Sequence, residues 1–217
     1  MYKKLRDLPE PQGLYDPSFE HDACGIGIVA NIRGKKSYDI IDDALTILEN
    51  LKHRGAEGAD AQSGDGAGIL IQIPHEFFCR ECETLGFSLP AEGEYGVGMI
   101  FAHRYEEFRK KQMEAFSDIV RAEGLSILGW RDVPVDESLI GNIAKTTRPH
   151  FLQVFIQKSP SMTNQMDFER KLYIIRKLAE KAIVPISQEK GTDFYIASLS
   201  SRTIVYKGML IIGPLSM

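Results

Sequence analysis

Three groups of side chains in this sequence have the types and spacing that chemistry needs. Cys24 stands alone at the mouth of the apolar run in "FEHDACGIGIVANI", Phe19 to Ile32. An isolated cysteine is often just a small buried hydrophobe. As residue one of a processed chain it would instead carry its own base, because a free α-amino group with a pKa near about 7.7 to 8.0 can take the thiol proton. Arg54 in "LKHRGAEGAD" reads locally as a cation closing a helix, where it answers the last carbonyls and the macrodipole. Cys79 and Cys82 form a C-x-x-C pair with His75 four residues ahead of Cys79, so on a helix all three share one face. That face could offer three zinc ligands, but no fourth ligand, second C-x-x-C or H-x-x-x-H follows. The pair also lacks the preceding strand and aromatic–proline context of a thioredoxin-type couple. Helix-face thiols without a metal are the expectation.

The elements around these residues follow from pattern. "CGIGIVANI" is apolar and β-branched and is closed by "RGKKS", which predicts a buried strand ended by a turn. Apolar residues recur at helical spacing through "YDIIDDALTILENLKH", leading from that strand to Arg54. The next stretch, "GAEGADAQSGDGAG", holds too many glycines for a helix or strand interior. It lacks the lysine and Ser/Thr of a P-loop, so Asp60 and Asp65 are expected to cap its backbone. "GILIQIP", "YGVGMIFAH", "LSILGWRDVPV", "HFLQVFIQK" and "DFYIASLSS" read as strands. "HEFFCRECETLG", "RYEEFRKKQMEAFSDIVRAEG" and "DFERKLYIIRKLAEKAI" read as helices. Strands following one another without a crossover helix disfavour a doubly wound parallel sheet. Largely antiparallel sheets with helices on their outer faces, an α+β layered sandwich, are expected.

Composition narrows the function classes. The 217 residues carry a net charge of −4 with ordinary apolar and charged content, which gives no basic footprint for nucleic acid. No apolar run is long enough to span a membrane, and residues 1–23 lack the apolar segment of a secretory signal. Three cysteines, one alone and two close together, do not make a disulfide framework, so a cytoplasmic location is expected.

The strings "CGIGIVA", "LKHRGAEGAD", "GDGAGILIQIPHEFF", "GEYGVGMIFAH", "LGWRDVPVD" and "FYIASLSSRTIVYKGML" together resemble the class II glutamine amidotransferases. Within that family they are most similar to the amidotransferase domain of glutamate synthase large chains. The resemblance implies an αββα four-layer sandwich of the N-terminal-nucleophile type, with residues 1–23 as a removed leader and 24–210 as the N-terminal part of the domain. It implies that Cys24 is the nucleophile, that its freed amine is the base, and that L-glutamine is the substrate. Arg54 would support the site beside the nucleophile, with Gly25 and Gly27 letting the backbone approach closely. No cofactor is implied in this chain. Flavin mononucleotide, an iron–sulfur cluster and NADPH or ferredoxin belong to downstream synthase domains, with which a small reductase subunit could associate.

Strings of the type "HSRFSTNT" and "HNGEI", which in the family grip glutamine and its oxyanion, do not occur here. The C-terminal part of the sandwich is therefore expected to be missing, with 211–217, "IIGPLSM", an atypical tail. Two alternatives stand beside the glutaminase reading: an inactive fragment or interaction module, and the domain of another class II amidotransferase.

Overall fold

The computed structural model describes residues 11–13, 16, 25–51, 66–138, 141–187 and 194–208. They fall into two compact units, one holding the described residues up to Leu51 and the other those from Gly66 onward.

In the first unit, residues 25–31 run without a ladder into a turn, where Gly34 N–H donates to the Asn31 carbonyl at 2.9 Å. Gly34 takes φ 68°, a conformation that costs glycine nothing. Helix α1, Tyr38–Asn50, follows as its apolar spacing predicts. The expected buried strand does not form: Ile26, Ile28 and Ile32 are largely exposed. The side chains suit a strand, but a strand exists only where a partner completes its hydrogen bonds.

The second unit is built on a four-stranded antiparallel sheet in the order β3-β4-β2-β5, made of β2 (Tyr95–Ala102), β3 (Ser126–Asp132), β4 (His150–Gln157) and β5 (Tyr195–Ser200). A separate antiparallel pair joins β1 (Ala67–Gln72) to β6 (Thr203–Gly208). The helices are α2 (His75–Thr84), α3 (Glu106–Ala122), α4 (Asn142–Thr147) and α5 (Gln165–Ser187). Sequence pattern alone did not pick out α4 or β6. Alternation sends Ile100 of β2 and Leu152, Val154 and Ile156 of β4 to one face. There they meet Phe116 and Val120 of α3 and Phe168, Leu172, Ile175, Ala179 and Ile183 of α5. The spacing on α5 is the stripe of a helix lying on a sheet.

The opposite face carries Tyr95, Val97, Met99 and Phe155, covered by Phe78 and Cys82 of α2 and Ile204 of β6. Within this unit the layering is helices, sheet, then α2 with the β1–β6 pair. The mixed α/β composition and antiparallel sheets agree with expectation.

Each edge strand of the larger sheet carries one extra residue. The register steps from Ile127 to Gly129 on β3, and from Ser198 to Ile196 on β5 opposite Met99 and Ile100. These bulges leave Leu128 and Ala197 opposite no partner of their own. Because of the second bulge, Ile196 and Leu199 both reach the helix-covered core although they are three residues apart.

Candidate active site

Cys24 and Arg54, the two residues expected to carry chemistry, lie outside the described residues, as do Asp60 and Asp65. What is described is the frame on either side of them. Gly25 lies against Leu51, so that a Cβ built on it would sit 2.8 Å from Leu51 Cδ2. A Cβ on Gly27 would sit 2.1 Å from Ile47 Cγ2 on α1. A side chain on Gly27 would have to displace Ile47 on α1, whereas the Leu51 methyl beside Gly25 is the far end of a flexible side chain and can move aside. Neither glycine takes a positive φ, so the requirement at Gly27 is for space and not for backbone freedom. The residue following Cys24 thus touches one that stands three positions before Arg54.

The Cys79–Cys82 helix is as read from sequence, with the two thiols in different settings. Cys82 is fully buried against the second core, and Cys79 is partly exposed with its Sγ 3.6 Å from His75 Nε2. His75 Nδ1 shares a 3.0 Å hydrogen bond with the Tyr95 hydroxyl. Burial raises the Cys79 thiol pKa, with Glu83 and Glu76 adding to the effect, and pushes Cys82 up to about 12. Both are protonated at neutral pH, which suits packing and not thiolate chemistry. Among the described residues no group of three or more His, Cys, Asp or Glu is arranged to hold a metal ion.

The raised thiol has a measurable consequence. Between pH 9 and 12 an unfolded chain has released the Cys82 proton and the folded chain still holds it. Stability is therefore fully present below pH 9 and falls as pH rises through that window, by about 1.4 kcal/mol per pH unit for a single such group. Tyr95 and Tyr206 are raised by burial too and add to the fall. Urea unfolding midpoints from pH 8 to 11 should decline more steeply for the parent chain than for Cys82→Ala, and equal slopes would remove Cys82 from the account.

Two polar networks escaped the sequence reading because their charged members have the local sequence of solvated surface residues. On one, Arg131 donates from Nε to Glu81 at 3.1 Å and from Nη1 to Gln153 Oε1 at 3.0 Å, and Gln153 Nε2 donates to the Tyr206 hydroxyl at 3.0 Å. This ties α2, β3, β4 and β6 together through a buried guanidinium. On the other, Glu169 of α5 accepts from Ser201 N–H at 2.7 Å and from the hydroxyls of Ser200 and Ser201. It pins the corner where the chain leaves the four-stranded sheet for β6.

Comparison with known proteins settles the class. The family model for class-II glutamine amidotransferases matches residues 24–216, and the chain belongs to that family. Glutamate synthases are among its relatives. It is 49% identical over 94% of its length to the glutamate synthase [NADPH] large chain of Bacillus subtilis. It is 43% identical over 94% to the glutamate synthase [NADH] of Saccharomyces cerevisiae, and 42% over 93% to ferredoxin-dependent glutamate synthase 2, chloroplastic, of Arabidopsis thaliana. The chain spans 13%, 10% and 12% of the length of these three. No helix among the described residues is long and apolar enough to cross a membrane.

Proposed function

We propose that the chain is the glutaminase part of a glutamate synthase, with Cys24 as nucleophile. The observation that carries this is that the family match begins at residue 24, the isolated cysteine, and runs to residue 216. The α-amine freed by cleavage of the Ala23–Cys24 bond takes the thiol proton. The sulfur attacks the side-chain amide carbon of L-glutamine, and the tetrahedral oxyanion collapses with release of ammonia. Water then hydrolyses the γ-glutamyl thioester to glutamate. The ammonia passes to a synthase portion that adds it to 2-oxoglutarate, with NADPH, NADH or ferredoxin as the electron source, the donors that appear in the relatives' names.

Arg54 supports the site by hydrogen bonding beside the nucleophile, as the family's pattern in "HRG" implies. The finer architecture goes with the same reading: residues 24–210 form the N-terminal part of a four-layer αββα sandwich, and 1–23 are a leader. The test is the mass and N-terminal sequence of purified protein. A mature chain starting at Cys24 is expected, and an active glutaminase that keeps Met1 to Ala23 would refute the assignment of the base.

A further inference from the structure

We draw no further inference here: the strongest candidate, the open apolar groove between α3 and α5 lined by Ile119, Ala122, Leu178 and Ala182 beside Lys181, is an unpartnered helix face, and nothing in the structure shows what covers it.

Discussion

In a full-length glutamate synthase carrying this domain, Cys24→Ser is expected to abolish glutamine-dependent glutamate formation while sparing the reaction with added ammonia. Only the release of ammonia uses the thiol, so the synthase step should run at its normal rate when ammonia is supplied. Loss of a nucleophile from a covalent mechanism costs on the order of ten-thousandfold to a millionfold in rate. The paired assay separates a nucleophile from a packed cysteine. If Cys24 were a small hydrophobe in a core, the same substitution would lower both activities together through misfolding, and that result would end the proposed role.

The second large effect belongs to Arg131. Its side chain is 8% exposed, and its partner Glu81 is 37% exposed. The guanidinium also stacks 5.5 Å from the centre of the Phe77 ring. Arg131→Ala leaves the wholly buried Gln153 without its donor and opens space beneath Phe77. Breaking a buried ion pair costs about 3 to 5 kcal/mol, and because Glu81 can turn to water the lower end applies. Against a total stability of about 5 to 15 kcal/mol that is a large share, visible as a shift in the urea midpoint. Arg131→Met should recover part of it by filling the space beneath Phe77, while Gln153 Oε1 still lacks its donor. A loss under about 1 kcal/mol for Arg131→Ala would mean that the network contributes little.

How legible the fold was depended on where each element finds its partner. β2, β4, α3 and α5 were readable because their periodicity is set by one covering surface: alternate residues of β4 and the 168, 172, 175, 179, 183 stripe of α5 face the same core. Residues 25–32 have the side chains of a strand, and the pattern could not reveal that no ladder forms there. β6 was hidden because "TIVYKG" follows β5 after a two-residue corner, so two strands in different sheets read as one apolar stretch. α4 is six residues long, too short for a period to show. Of the candidate site, Cys24 and Arg54 lie outside the described residues, and the two glycines pack closely beside Leu51 and Ile47. Arg131 and Glu169 were not legible, because a charge that enters the interior through long-range partners has the same local sequence as one in water.

The two bulges also fix where the chain can change length. In a regular strand, removing one residue turns every side chain beyond it to the other face. In β4 such a deletion would carry Leu152, Val154 and Ile156 out of the helix-covered core. On β5 the extra residue is already present: taking out Ala197 would join Ile196 to Ser198 and leave Ile196 opposite Ile100 and Ser198 opposite Met99, as they now stand. Leu128 holds the same place on β3, between Ile127 opposite Ile156 and Gly129 opposite Phe155. The outer strands of this sheet are thus where this chain can absorb the loss of one residue, and the inner strands are held to their count.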